Sequence, residues 1–172
     1  MKTEKLLKPF FITLMLVISN SLFAQTKNIV ETAIGSESHT TLVAAVKAAD
    51  LVGVLSNEGP FTVFAPTNAA FDKLPDGTVA TLLKPENKEK LTKILTYHVV
   101  AGKMDSKTIA DAIKKGNGNA EFTTVNGAKL TAWMNDGKLV LKDANGGMST
   151  ITIANVMQKN GVIHVVDTVL IP

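Results

Sequence analysis

The sequence contains no cysteine, which excludes a disulfide framework, a thiolate metal site and a cysteine nucleophile. Arginine is also absent, since all 18 basic residues are lysines, so the planar fork that favours bidentate phosphate and guanine contacts is missing. Aromatic residues make up only 5% of the chain and include a single tryptophan. No extended stacking platform for sugars or bases is therefore evident.

What is present describes a globular protein. The chain has 172 residues, of which 45% are hydrophobic and 19% charged, a balance that can close a hydrophobic core and argues against disorder. No internal repeat and no low-complexity linker interrupts the sequence. We therefore expect a single domain.

The first 24 residues have the pattern of a secretory signal. Three lysines in residues 1–8 precede an apolar run over residues 9–18, and a polar stretch then leads to a small-residue cleavage site that ends at Ala24. The apolar run is shorter than the ~20 residues that a membrane span needs. We expect cleavage after Ala24 and no membrane span in residues 25–172; an uncleaved anchor is the alternative. A lipid anchor is excluded by the lack of cysteine.

The basic character belongs largely to that segment. The whole chain has a net charge of +3 and a pI of about 9.1, whereas residues 25–172 carry fifteen lysines against fourteen acids, a net charge of +1. A nucleic-acid binder typically shows a basic stripe with interleaved aromatic residues. Nucleic acid is therefore not the expected partner.

Helices are predicted first along the chain. Apolar spacing predicts a long helix over residues 41–55, capped by Thr40 or Thr41 and stopped by a Gly-Pro pair. The prediction continues with a strand at 61–65, a helix at 68–74 capped by Thr67, a helix at 78–84, a helix that begins at Pro85 and ends near residue 95, a strand at 97–100, and a helix from Asp105 or Ser106 to residue 115.

Strands follow from about residue 122. Turn signals at 126–127, 136–137, 145–147 and 160–161 separate short β-rich segments. Such a series is typical of antiparallel strands without crossover helices. The last segment, residues 162–171, is apolar on both faces, as in a central buried strand.

Candidates for chemistry are few. His39, His98 and His164 are the only side chains suited to proton transfer near neutral pH, and none has a second histidine three or four residues away to form a metal site. Strand periodicity puts His164 and Asp167 on opposite faces, so a packed imidazole is the favoured interpretation. No nucleophile elbow or phosphate-binding glycine loop occurs. We expect no catalytic residue, no metal and no cofactor.

Trp133 is the single hint of an exposed aromatic residue. The apolar residues around it, Ala132 and Met134, alternate with it along a predicted strand, which puts Trp133 on the polar face. Packing at an edge or loop is the commoner role for such a residue.

Three segments resemble the fasciclin-like (FAS1) adhesion domains. FTVFAPTNAAF at 61–71 is similar to the first signature of that family, LTYHVV at 95–100 to its tyrosine-histidine segment, and NGVIHVVDTVLIP at 160–172 to its terminal signature. The residues assigned to these structural motifs are Phe61, Phe64, Pro66, Thr67, Asn68, Phe71, Gly161 and His164.

The resemblance implies an α+β fold, a wedge of two antiparallel-rich β-sheets packed as a sandwich with an N-terminal helical layer on one side. Together with the signal peptide at 1–24, it divides the chain into an N-terminal extension at 25–38 and one fasciclin-like domain at 39–172. Animal members bind integrins through an Asp-Ile sequence before the terminal signature and through the tyrosine-histidine segment. Here the first position reads Asn155, Val156 and Met157, so the carboxylate is replaced by an amide and integrin binding is not expected.

The predicted function is therefore non-enzymatic attachment, outside the cytoplasm, of a secreted, monomeric bacterial domain to a surface protein or polysaccharide. Candidate contacts are Tyr97, His98, Trp133, Asn155, Val156 and Met157. One alternative is a small-ligand or polysaccharide-binding envelope module that uses Trp133 and the polar turn at residues 117–119. The other is a hydrolase that uses His98 or His164.

Overall fold

Helices occupy the first half of the chain and strands the second half in the computed structural model, which describes residues 26–172. The predicted signal at residues 1–24 lies outside the described residues. The helices are α1 (Ile29–Ile34), α2 (Thr40–Ala48), α3 (Val52–Ser56), α4 (Asn68–Asp72), α5 (Thr78–Leu82), α6 (Lys88–Tyr97) and α7 (Ser106–Lys115). Short 3-10 turns at Glu37–His39 and Pro85–Asn87 precede α2 and α6.

Seven strands are hydrogen-bonded in one series, in the order β2-β1-β7-β6-β5-β4-β3. They are β1 (Phe61–Pro66), β2 (Val99–Ala101), β3 (Asn119–Thr123), β4 (Lys129–Asn135), β5 (Lys138–Lys142), β6 (Met148–Gln158) and β7 (Gly161–Val166). The sheet is rich in antiparallel pairs, as predicted, but β1 and β7 pair in parallel from Phe61↔Gly161 to Pro66↔Val166. Helices α4–α7 and strands β2–β6 lie between β1 and β7 in the sequence, so no local turn signal could reveal this pairing.

The sheet curls until its ends approach each other. Val125 N–H donates to the carbonyl of Val99 at 2.8 Å, and an isolated bridge joins Val100 to Thr124, so β2 meets the loop after β3. The long strand β6 makes this curvature possible: its first residues pair with β5 and the rest with β7, with register shifts after Ile151 and after Ile153. The predicted pair of separate sheets is not confirmed, and a single, nearly closed sheet takes its place.

Two apolar clusters lie on opposite sides of the central strands. Alternate residues of β1 divide between them: Val63 belongs to the cluster under α1–α6, and Phe64 belongs to the cluster that α7 covers through Ile109 and Ile113. Helices α1–α6 therefore lie on one side of the central strands, and α7 packs against β3 and β4 on the other side. All six residues of β7 are buried, which confirms it as a central strand, although it ends at Val166 and not at residue 171.

Several helix boundaries differ from the prediction. The helix predicted over 41–55 is broken in two, since Asp50 takes a left-handed conformation (φ 61°) between α2 and α3. Neither threonine caps α2; its N-cap is His39, which makes no side-chain capping bond. By contrast, Thr67 caps α4 by accepting from Ala70 N–H, and Asp105 caps α7 by accepting from Thr108 N–H, as predicted.

The strand predicted at 97–100 begins two residues later. Tyr97 is the last residue of α6 and His98 its C-cap, so neither belongs to the predicted strand. Residues 29–34, within the predicted N-terminal extension, form α1, whose Ile29 and Val30 are buried in the core. No helix within residues 26–172 has the length and apolar character needed to cross a membrane.

Candidate functional site

The imidazole of His98 is a structural cross-link. Its Nδ1 donates to the carbonyl of Ile94 at 2.8 Å, and its Nε2 accepts from the backbone N–H of Leu170 at 3.0 Å. The ring is fully enclosed, and burial lowers the pKa of His98 from 6.5 to about 4. A neutral ring with both nitrogens bonded to backbone has no lone pair free for a proton or a metal.

His164 is engaged in the same way on β7. Its Nε2 donates to the carbonyl of Met104 at 2.8 Å, and its Nδ1 accepts from Asn155 N–H at 3.3 Å. The ring stacks on Phe64 with centroids 5.8 Å apart, and burial lowers its pKa. Asp167 bonds instead to Thr150 N–H at 2.8 Å, so the predicted separation of His164 from Asp167 is found in the structure.

His39 differs from the other two histidines. Ser36 Oγ lies 2.7 Å from its Nδ1, and its buried Nε2 lies beside the backbone of Ala65 without reaching hydrogen-bond geometry to any described residue. Burial lowers the pKa of His39. The Ser36 contact joins the residue before the 3-10 turn to the last residue of that turn, so it is local.

Tyr97 is completely buried. Its hydroxyl donates to the carbonyl of Lys129 at 2.7 Å and accepts from Ala144 N–H at 3.1 Å. The side chain thus joins the end of α6 to β4 and to the turn between β5 and β6. Tyr97 and His98 both lie in the core, where neither presents surface to a partner.

The segment Asn155, Val156 and Met157 lies on β6 beside the start of α7. Asn155 has φ of 62°, and its side chain accepts from Ser106 N–H and donates to Ser106 Oγ, both at 2.7 Å. Val156 and Met157 are half-buried. The Asn155 amide is therefore exposed but already bonded within the domain.

The motif residues around the first signature hold elements together. Asn68 accepts from Thr41 N–H at 3.0 Å and donates to the carbonyl of Glu37 at 2.9 Å, which caps α2 from a distance. Phe64, Pro66 and Phe71 are buried, whereas Phe61 is half-buried at the start of β1. Gly161 lies opposite Phe61, with no room for a side chain between the two strands.

The residues of a metal or catalytic centre are not brought together in the described part of the chain. No group of three or more His, Asp or Glu side chains is placed to hold a metal ion within residues 26–172. Hydrogen bonds from Thr108 and Lys107 lower the pKa of the partly exposed Asp105 and Asp111. The pKa of Asp167 is also lowered, since the effect of burial is outweighed by its bond from Thr150 N–H and its other polar contacts.

The outer face of β3, β4 and β5 carries a shallow recess of about 540 Å³ around Trp133. Trp133 is half-buried and pairs directly with Asn119 on β3 and with Val140 on β5, and directly opposed residues share a face. The sequence pattern placed Trp133 on the polar face, and the structure agrees. We call this feature the Trp133 recess; its lining is Asn117, Gly118, Asn119, Thr131, Trp133, Lys142, Gly146 and Met148.

Sequence reasoning identified Trp133 and residues 117–119 but missed Thr131, Lys142 and Met148. The missing information is strand register. Thr131 lies opposite Lys142, and Lys142 opposite Met148, so the three side chains form a row beside the tryptophan. Counting back from the turn at 136–137 would have given the first of these pairs.

Comparison with known proteins gives a consistent result. A family model described as the fasciclin domain matches residues 37–172, and this confirms the resemblance noted in the sequence. The Synechocystis sp. protein sll1483 is 50% identical over 156 residues, which cover 91% of this chain and 79% of that protein. The cell surface glycolipoprotein MPB83 of Mycobacterium bovis is 39% identical over 116 residues, which cover 67% of this chain and 46% of that protein.

A solved structure shares the fold. The FAS1 domain pair from the insect cell adhesion molecule fasciclin I superposes with a TM-score of 0.52 and 22% identity, covering 82% of this chain and 43% of that chain. At this identity the likeness concerns the fold alone.

Proposed function

Because the chain belongs to the fasciclin domain family, we propose that it is a secreted, non-enzymatic module that attaches a bacterial cell to a surface protein or polysaccharide. In this proposal residues 1–24 are removed on export, and the remaining chain acts as a monomer at the cell surface, in the periplasm or in the extracellular matrix. Residues 39–172 are its functional unit, and residues 25–38 extend it at the amino-terminal end.

The observation that carries this proposal is the state of the histidines. Both ring nitrogens of His98 and of His164 form hydrogen bonds to backbone groups at 2.8–3.3 Å. The side chains best suited to proton transfer therefore stabilise the fold. The name of one relative supports attachment, since that protein is a cell surface glycolipoprotein. A hydrolase that uses either ring would have to break these bonds first.

The test is attachment by living cells. A strain that lacks the gene should attach less to surfaces and to biofilm matrix than the parent, and the full-length gene should restore attachment. Detection of the chain in periplasmic, surface and medium fractions of the same cultures gives its location. Unchanged attachment of the deletion strain across growth conditions, with the protein present in the parent, would contradict the proposal.

A second candidate function, a polysaccharide-binding module of the cell envelope, is favoured by the Trp133 recess. A half-exposed indole beside asparagine and threonine side chains offers an apolar face and hydrogen-bonding groups together. Glycan-array binding that is lost in Trp133→Ala and kept in Trp133→Phe would support this function. Among the candidate contacts, Trp133 is therefore the residue that we propose as the ligand contact.

A further inference from the structure

We propose that the Trp133 recess binds an anionic polysaccharide, one whose repeating sugars carry carboxylates. This inference rests on the proposed attachment function and names the ligand class and the residues that would serve it. The indole of Trp133 would stack on a sugar ring, the asparagines would form hydrogen bonds with its hydroxyl groups, and the lysines of β5 would pair with carboxylates of the polymer.

The polar side chains of the recess are free to bind. Asn117, Asn119, Thr131 and Lys142 make no side-chain hydrogen bond to any residue within 26–172. Most asparagines of the domain behave otherwise, since the side chains of seven are bonded: Asn28, Asn68, Asn87, Asn126, Asn145, Asn155 and Asn160.

The asparagines without a bond are concentrated at this face. Of the eleven asparagines within residues 26–172, four form no side-chain hydrogen bond, namely Asn57, Asn117, Asn119 and Asn135. Asn119 pairs with Trp133, Asn117 lines the same recess, and Asn135 follows two residues later on the same face of β4. Amides offer donors and acceptors together, which is what vicinal sugar hydroxyls require.

Lysines flank the indole on both sides. β5 presents Lys138, Val140 and Lys142 on the outer face, and Val140 lies opposite Trp133. The two lysines are exposed, and their Cα atoms are about 14 Å apart at ~3.4 Å per residue. Neither forms an ion pair with a described residue, so both charges are available to a ligand that runs along the strand.

The wider charge balance of the face is positive. Lys129 lies on the outer face of β4, and Lys114 and Lys115 end α7 just before the turn at Asn117. The acids of the same region are Glu121, opposite Thr131, Asp136 in the β4–β5 turn, and Asp111 near Lys114 and Lys115, which is paired with Lys107. Asp143 follows Lys142 but is buried, and its carboxylate accepts from Gly147 N–H and Ile171 N–H. A polymer with regularly spaced carboxylates gains from this excess, whereas a neutral polymer does not.

The shape of the site favours a polysaccharide over a protein. Stable protein interfaces bury about 800 Å² on each partner around an apolar, aromatic-rich centre. Here one indole and the exposed Met148 stand among amides, a hydroxyl and an ammonium group in an open recess. A single stacking residue with hydrogen-bonding neighbours fits one sugar ring of a chain.

Calorimetric titration of the secreted full-length product with polygalacturonate oligosaccharides tests the inference. Fully methyl-esterified oligosaccharides have the same backbone without the charge and serve as the matched ligand. We expect binding to the acidic form, weakening with added salt, and at least tenfold weaker binding of the esterified form. Trp133→Ala should weaken binding about tenfold, and Lys142→Gln and Lys138→Gln about threefold each.

Lys90→Gln, which changes an exposed lysine of α6, is the control and should bind as the parent does. Equal affinity for the acidic and the esterified oligosaccharide would overturn the inference, since the recess would then not recognise carboxylates. Equal affinity for the acidic oligosaccharide and a thymidine oligonucleotide would also overturn it, since the face would then bind any polyanion. No binding to the acidic oligosaccharide, while cells with the intact gene still attach better than the deletion strain, would overturn it and leave the proposed function standing.

Discussion

The ring Nε2 of His98 accepts a hydrogen bond of 3.0 Å from the backbone N–H of Leu170, 72 residues further along the chain. The opposite nitrogen donates to Ile94 in the preceding turn of α6. One buried side chain thus ties the end of a helix to the carboxyl-terminal segment. In a chain without cysteine, polar cross-links of this kind hold distant segments where a small secreted domain often uses disulfides.

Replacement of His98 by alanine should destabilise the domain. The substitution leaves the N–H of Leu170 and the carbonyl of Ile94 unpaired in the core and opens a cavity, which together cost about 2–4 kcal/mol. Urea unfolding followed by circular dichroism measures the change. Lys90→Ala, on the exposed side of the same helix, is the control and should stay within about 0.5 kcal/mol. Normal stability of His98→Ala together with lost attachment would show that His98 is a contact residue.

Stability should fall as the pH is lowered from 6.5 toward 4. Burial holds the pKa of His98 at about 4 in the folded state, whereas the unfolded chain binds this proton near 6.5. Protons therefore favour the unfolded state in this window, and His98 alone accounts for about 3 kcal/mol of loss. His39 and His164, whose pKa values burial also lowers, add to it in the same direction.

Urea unfolding at half-unit intervals between pH 7.5 and pH 5 measures this dependence before most carboxylates titrate. The free energy of unfolding of His98→Gln, relative to its own value at pH 7.5, should decline less steeply with falling pH than that of the parent chain. The difference in slope should correspond to at most one bound proton. A flat profile for the parent chain would mean that the histidines are charged in the folded state, against their backbone bonding.

Local patterns predicted much of this fold, and long-range contacts decided the rest. Thr67 and Asp105 were recognisable as caps because their partners lie three residues away. Tyr97 and His98 read as a strand because two valines follow them. They end a helix, and their polar atoms form hydrogen bonds with the backbone of Lys129 and Leu170, which are both distant in sequence. The parallel pairing of β1 with β7 joins residues a hundred positions apart and has no local signature.

The Trp133 recess shows the same limit at the level of a site. The alternation of Ala132, Trp133 and Met134 was sufficient to predict an outward tryptophan. The neighbours of the indole depend on the register of three strands, which brings Asn119 and Val140 to either side of it. A shift of one residue would have buried the tryptophan and exposed Ala132.

Replacement of Asn155 by alanine should destabilise the bulge in β6. The amide holds both Ser106 N–H and Ser106 Oγ at 2.7 Å, and the residue has φ of 62°. Asn155→Ala loses both bonds and is strained at this φ, for an expected cost of about 2 kcal/mol. Asn155→Gly loses the same bonds without strain and should cost about 1 kcal/mol less. Equal stability of the two variants in urea would show that the backbone strain is absent.

Replacement of Gly161 by alanine should be among the costliest changes at the terminal motif. Gly161 opens β7 opposite Phe61, and a Cβ built there would clash with the carbonyl oxygen of Phe61 and lie 3.0 Å from Ile29 Cδ1. Since the first contact is backbone, β1 and β7 would have to separate where their parallel pairing begins, at a cost of about 2–3 kcal/mol. The matched control is Gly53→Ala: a Cβ at Gly53 in α3 meets nothing within 4 Å, and alanine should stabilise that helix by about 0.5–1 kcal/mol. Opposite shifts of the two urea midpoints are therefore expected from the same chemical change. A Gly161→Ala midpoint at or above that of the parent chain would show that the two strands are not held at the close approach that the parallel register requires.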